Sequence, residues 1–156
     1  MCIRDRCHRT LALDPNFLNA HIYLYQAYTK KGMYDEVVDQ YFKLQELAGH
    51  DARFSVESGG ALREAYAKGG IRGFWREKIR QHLVPGALLL SPSLAEYHAL
   101  LGEKDKALYW LGEAVEQRAF EIVFIRANPI FRDLGADPRF LELVRRVSLP
   151  DSPPRI

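Results

Sequence analysis

Leucines at positions 24, 62 and 94 each open the same phrase. Four residues on stands a ring (Tyr28, Tyr66, His98), and a glycine turn follows (Gly32, Gly69-Gly70, Gly102). The leucines lie 38 and 32 residues apart, two periods averaging 35. Self-similarity at such a period constrains a chain more than its composition does, because each unit must bury its apolar face against the next.

The clearest unit runs over 18–49. It reads His21-x2-Leu24-Tyr25-x2-Tyr28, then Gly32, Tyr34, Val37-x3-Tyr41 and Leu44. Leu24 and Tyr28 share one helix face, and Val37, Tyr41 and Leu44 share another. Lys31-Gly32 supplies the turn, since glycine accepts the left-handed conformation that ends a helix. Asp35 is expected to cap the second helix. Upstream, Leu11-x-Leu13-Asp14-Pro15 closes a preceding helix, because Pro15 disfavours helix at Asp14. A second unit runs over 88–119, with Ser91-x2-Leu94-Ala95-x2-His98, Gly102, Ala107-x3-Leu111 and Ala114. The weaker copy between them has Gly59-x2-Leu62-Arg63-x2-Tyr66, Gly69-Gly70 and Trp75-x3-Ile79.

After Arg118 the pattern changes. Ile122-Val123-Phe124-Ile125 fits either a buried extended piece or one helical turn. Asn128-Pro129, Ile130, Phe131 and Leu134 follow. Asp137 at an N-cap with Pro138 at the first helical position predicts a helix over 138–147. Its apolar face is Phe140, Leu143, Val144 and Val147. Pro150, Pro153 and Pro154 stop it, and residues 129–149 are read as a cap over the last repeat.

These phrases resemble the tetratricopeptide repeat, W-x2-L-G-x2-Y, then A-x3-F, then proline. Tyr25 stands where the family has glycine, Trp75 where it has a small residue, and Gly49 where it has proline, so the first pair is expected to cross at a wider angle. The stretches Leu101-Gly-Glu-Lys-Asp-Lys-Ala-Leu-x-Trp-Leu, Asn128-Pro-x-Phe131 and Asp137-Pro-Arg-Phe140 are similar to the end-of-group repeats that close certain bacterial multidomain proteins. Tyr66-Ala-x-Gly-Gly-x-x-Gly73-Phe-Trp75 fits the same group. The resemblance implies an all-α chain: an α-solenoid of stacked antiparallel helix pairs with a C-terminal capping helix. Residues 1–6 then form a leader, 7–17 the end of a preceding repeat, and 18–51, 52–87 and 88–119 three repeats. Residues 120–149 form the cap and 150–156 a tail. The leader Met1-Cys2-Ile3-Arg4-Asp5-Arg6 looks like a translated sequencing adapter, which would place the native start near Cys7.

Composition excludes more than it selects. The chain of 156 residues has 22 Lys and Arg against 20 Asp and Glu, so a charge of +2 gives no global reason to expect nucleic acid or an anionic membrane. Two cysteines make neither a disulfide framework nor a four-ligand zinc site. The apolar run Gly86–Leu90 is too short to span a bilayer. With no apolar leader and few cysteines a cytoplasmic chain is expected, or a periplasmic one if an anchor lies upstream. There is no H-E-x-x-H, C-x-x-C or Walker-type lysine, so no catalytic, cofactor or metal site is expected. Gly69-Gly70-x-x-Gly73 reads as helix-turn glycine, not as a phosphate cradle. The five histidines (8, 21, 50, 82 and 98) are scattered, and His21 and His98 read as core residues. Ser93 reads as a helix-start residue. Arg63, Lys68, Arg72, Arg76, Lys78 and Arg80 read as a solvated face balanced by Glu57, Glu64 and Glu77, with Phe74 and Trp75 inside.

What remains is a surface. In a curved stack the first helix of each pair lines the concave side. Pointing away from Leu24 and Tyr28 are Asn19, Ile22, Gln26, Thr29 and Lys30; the counterparts later are Glu57, Glu64, Lys68 and Glu96. Such a mixture suits a peptide or protein segment in a groove. Family members that grip a terminal carboxylate present lysine and asparagine there, whereas Ile22 and Gln26 stand here. The expected function is therefore a non-catalytic interaction or scaffolding module. The resemblance offers an alternative: an intramolecular regulatory domain of a longer kinase, cyclase or winged-helix regulator, whose partner is another domain of the same chain. A helical enzyme or nucleic-acid binder using the Arg63–Arg80 cluster is the remaining class.

Overall fold

The computed structural model describes residues 3–47, 56–83 and 91–147, with backbone alone for 56–58. Gly49, His50, the run Gly86–Leu90 and the tail 150–156 therefore lie outside the described residues. Among the described residues seven α-helices succeed one another: α1 (Ile3–Leu13), α2 (Leu18–Lys31), α3 (Tyr34–Leu47), α4 (Val56–His82), α5 (Ser91–Leu100), α6 (Lys104–Glu116) and α7 (Pro138–Val147). Between α6 and α7 lie two 3₁₀ turns, Phe120–Phe124 and Pro129–Leu134. No strand occurs among the described residues, so the chain is all-α. It divides into two compact units, Met1–Glu64 and Ala65–Ile156.

The turns form as their glycines dictate. Gly32, Gly70 and Gly102 all have positive φ, at 68°, 57° and 78°. After α2 the Gly32 amide donates to the Thr29 carbonyl and the Met33 amide to that of Tyr28, which satisfies carbonyls the helix end would leave open. Gly102 repeats this, with the Glu103 amide reaching the His98 carbonyl. Gly70 differs, for its ψ of −152° breaks α4 into two helical stretches. They pack so closely that a side chain on Gly73 would collide with the Ala65 carbonyl oxygen. Within α4 the order is thus helix, glycine turn, helix.

In the first unit, α1 ends before Asp14-Pro15, and the Asp14 carboxylate accepts from the Asn16 amide in the bend. Ala20, Leu24 and Tyr28 of α2 are buried with Val37, Val38 and Tyr41 of α3, and the Tyr25 and Tyr41 rings pack 6.5 Å apart. Asp35 departs from its expected place: α3 begins at Tyr34, so its carboxylate sits inside the first turn, where the helix dipole favours negative charge.

In the second unit, α5 and α6 pair through Ala95, Ala107, Leu111 and Ala114, all wholly buried. The run at Ile122 resolves as a 3₁₀ turn that drives Ile122 and Ile125 into this core. The second 3₁₀ turn packs on α5, while α7 packs on α6 through Phe140 and Leu143. The Asp137 carboxylate accepts the Arg139 amide, as an N-cap does. Arg139 at the start of α7 bonds Asp105 at the start of α6, and Arg146 near the end of α7 bonds Glu116 at the end of α6. These two helices therefore run side by side in the same direction.

Candidate functional site

Helix α2 carries no acidic residue, ends in Lys30-Lys31, and buries Ala20, His21, Leu24, Tyr28 and Thr29. Its opposite edge is Asn19, Tyr23, Gln26 and Lys30, spaced four, three and four. That spacing makes one stripe along the helix, and all four side chains are exposed. Asn19, Gln26 and Lys30 thus lie where the sequence places them, and Ile22 is half-buried beside them. Thr29 does not belong to this face. It is buried, and its hydroxyl donates to the Tyr25 carbonyl at 2.8 Å. A threonine hydroxyl satisfied by its own helix carries no penalty for turning inward. Tyr23 is the residue that sequence reasoning omits, and its position between Asn19 and Gln26 on the stripe is the signal for it.

The remaining expected groove residues divide. Glu64 and Lys68 are exposed on α4, at positions four apart. The side chain of Glu57 lies outside the described residues. Glu96 is half-buried and accepts from the Asn128 carboxamide at 2.7 Å. The Asn128 oxygen meanwhile caps the second 3₁₀ turn through the Ile130 amide. Glu96 therefore holds the 3₁₀ turn onto α5.

The buried histidines have structural partners. His21 Nε2 lies 2.9 Å from the Pro15 carbonyl, which can only accept, so that nitrogen carries the proton. Its Nδ1 meets the Gln40 carboxamide at 2.8 Å, a group that supplies either partner by rotating. His98 Nδ1 bonds Glu103 at 2.8 Å, and Glu103 also takes Lys106 at 3.1 Å. Burial raises the Glu103 pKa, but the Lys106 and His98 hydrogen bonds outweigh it and hold the carboxyl below its usual value.

The basic stretch from Arg63 to Arg80 is not a uniform solvated face. Phe74 and Trp75 are packed inside, as their apolarity requires. Arg80 pairs with Glu77 on the surface, Arg63 lies 3.8 Å above the Phe42 ring, and Arg72 reaches the Leu101 carbonyl. Lys78 departs from the expectation: it is 5% exposed, and burial pushes its pKa down to about 8. Its ammonium lies 5.8 Å from the centre of the Tyr97 ring, which stacks on Trp75 at 5.4 Å and meets His82 edge-on. Burial and the Lys78 charge lower the His82 pKa, while the ring nitrogen donates to the Lys78 carbonyl. An aromatic wall around a cation compensates part of the lost hydration.

Among the described residues no group of three or more His, Cys, Asp or Glu is placed to hold a metal, and the Cys7 side chain is buried. No described helix is long and apolar enough to cross a membrane. The chain matches no protein-family model, no curated protein and no solved structure.

Proposed function

We propose that the chain is a non-catalytic interaction module of the tetratricopeptide type that holds an extended peptide or protein segment along the exposed edge of α2. Element spacing supports the repeat reading. The first helices of the pairs begin at Leu18, Val56 and Ser91; the second begin at Tyr34, after Gly70, and at Lys104. The second 3₁₀ turn and α7 continue the series as a shortened unit, one packed on α5 and the other parallel to α6. In an array each such unit contributes one strip of surface.

The observation that carries the functional reading is the stripe Asn19, Tyr23, Gln26 and Lys30. All four are exposed, and among the described residues none has a hydrogen bond or ion pair within the fold. Carboxamides spaced two turns apart suit the alternating donors and acceptors of an extended backbone, the tyrosine ring offers an anchor, and lysine suits a carboxylate. The test is selection of displayed random peptides on the full chain. Selected peptides should bind at least about tenfold more weakly to the Tyr23→Ala/Gln26→Ala variant, a loss of about 1.4 kcal/mol. Tyr109→Ala on the other unit should leave them unaffected. Failure to select any peptide, or indifference to the α2 changes, would overturn the reading.

A further inference from the structure

Helix α4 runs for 27 residues, and one residue interrupts it. Gly70 alone inside it has non-helical angles, φ 57° and ψ −152°. Helix stands on both sides of it with no loop between. The space around the break is open, for a Cβ added to Gly69 or to Gly70 would meet no atom within 4 Å. Turning Gly70 to helical angles would make α4 one continuous helix about 40 Å long. The carbonyls that end the first stretch would then accept from the amides that open the second.

Each stretch is tied to a neighbour on its own side of Gly70. In the first, Arg63 lies 3.8 Å from the centre of the Phe42 ring on α3. In the second, Trp75 stacks on Tyr97 of α5 at 5.4 Å, and the Arg72 guanidinium donates to the Leu101 carbonyl. Across the break the two stretches touch each other. The Tyr66 and Phe74 rings meet edge to face at 6.4 Å, and a Cβ on Gly73 would lie 2.2 Å from the Ala65 carbonyl oxygen. Phe74 is wholly buried. Straightening α4 separates these surfaces and exposes apolar atoms, which the same pair of surfaces on a second copy covers again.

We propose that Gly70 is a hinge at which the chain exchanges everything after it with a second copy. In the exchanged pair α4 is continuous in both chains, and Ala65 and Tyr66 of each receive Gly73 and Phe74 of the other. Both chains regain the contacts they gave up, so the exchange closes at two. The hinge and the chain concentration decide between the forms. Two adjacent glycines disfavour a continuous helix, because each loses more freedom there than alanine does. Gly69-Gly70 therefore holds the natural chain toward the bent form, and high concentration favours exchange. The two stretches must part before they can exchange, so the forms interconvert slowly. The proposal does not involve the α2 stripe and stands apart from the peptide-binding reading.

Size-exclusion chromatography with light scattering tests it, on the full chain held for days at about one millimolar and then diluted to about ten micromolar, a span that covers weak association. A dimer should form at the higher concentration and outlast the dilution by hours. It should return to monomer when unfolded in denaturant and refolded dilute. Amide hydrogen exchange at residues 72–74 should be at least about tenfold slower in the dimer, because a continuous helix gives these amides carbonyl partners one turn back. Gly69→Ala/Gly70→Ala should raise the ratio of dimer to monomer at least about a hundredfold, since alanine favours the helix and resists the angles of the break. Both positions are exposed and neither methyl meets an atom, so the effect is one of backbone alone. If the double variant fails to fold, the wild-type dimer and its exchange pattern still decide. A wild-type chain that stays monomeric throughout, a dimer that falls apart on dilution, unchanged exchange at residues 72–74, a mass that climbs past the dimer, or a folded variant no more dimeric than wild type would each overturn the proposal.

Discussion

The pairs α2–α3 and α5–α6 solve one geometric problem with different side chains. Aligned at an offset of 70, Leu24 matches Leu94 and Gly32 matches Gly102, and both leucines are almost wholly buried. Tyr28 matches His98, each a buried polar ring with a hydrogen-bond partner, His8 in one case and Glu103 in the other. The residues where the helices cross share nothing. Tyr25, Val37, Tyr41 and Leu44 stand against Ala95, Ala107, Leu111 and Ala114. Small residues let α5 and α6 approach, whereas α2 and α3 fill their gap with rings, Tyr25 against Tyr41. The middle pair is a third solution, with Trp75, Ile79 and His82 in the places of Ala107, Leu111 and Ala114. The turn glycine and the central leucine are common to the two pairs, while the facing residues differ.

The comparison is most sharply tested at its shared leucines. Leu24→Ala and Leu94→Ala should each cost about 3–5 kcal/mol in chemical denaturation, because both sites are sealed and neither can collapse easily. A much smaller cost at Leu24 would show that the ring-filled pair relaxes where the alanine-lined pair does not. Lys78→Met should act in the opposite direction, raising stability at pH 7 by about 2–3 kcal/mol, since it removes a charge that burial penalises. The sign follows from the Lys78 pKa, lowered by burial from 10.5 to about 8. Between those values the unfolded chain takes up a proton that the folded chain refuses, so stability falls as pH drops through this window, by about 3 kcal/mol in all. The methionine variant should lose this gain, leaving the fall with rising pH that comes from Tyr28 and Tyr41, whose pKa values burial raises. Gly32→Ala and Gly102→Ala should each cost about 1–2 kcal/mol, the strain of a left-handed L-residue. Neither added methyl would meet anything closer than ordinary contact, so the two costs should agree. The smallest effect is expected at Arg118, whose φ is 53°, where Arg118→Gly should relieve left-handed strain and raise the melting temperature, by about 0.5–1 kcal/mol in stability.

Local chemistry made much of this fold legible. The positive-φ glycines fall at Gly32, Gly70 and Gly102, where the repeat phase expects turns, and the Asp137-Pro138 start of α7 lies where capping chemistry puts it. What escaped the sequence depends on partners that helical periodicity does not encode. Helical spacing places Thr29 away from Leu24 and Tyr28, yet it is buried and its hydroxyl bonds the carbonyl four residues back. Glu96 looked like a groove residue because its bond to Asn128 spans 32 residues. Lys78 sits among arginines that reach the surface, and only the packing of Tyr97 over it reveals that it does not. Tyr23 is exposed on the same stripe as Asn19 and Gln26, although the sequence reading does not include it. Legibility was thus highest for backbone geometry and lowest for the candidate site.

Gly70 carries a consequence of its own. Gly32, with φ 68° and ψ 22°, sits in a region that asparagine also visits, so sequence drift there has an exit. Gly70, with φ 57° and ψ −152°, lies where L-amino acids other than glycine hardly go. Reversing the sign of both angles, however, gives polyproline II, one of the most comfortable conformations an L-residue has. Position 70 is therefore right-handed territory for the mirror-image amino acids. A chain assembled by chemical synthesis with D-alanine at this position should fold more stably than the natural one, while L-alanine there should undo the turn. One methyl group on one atom would improve or break this hairpin according to its chirality alone.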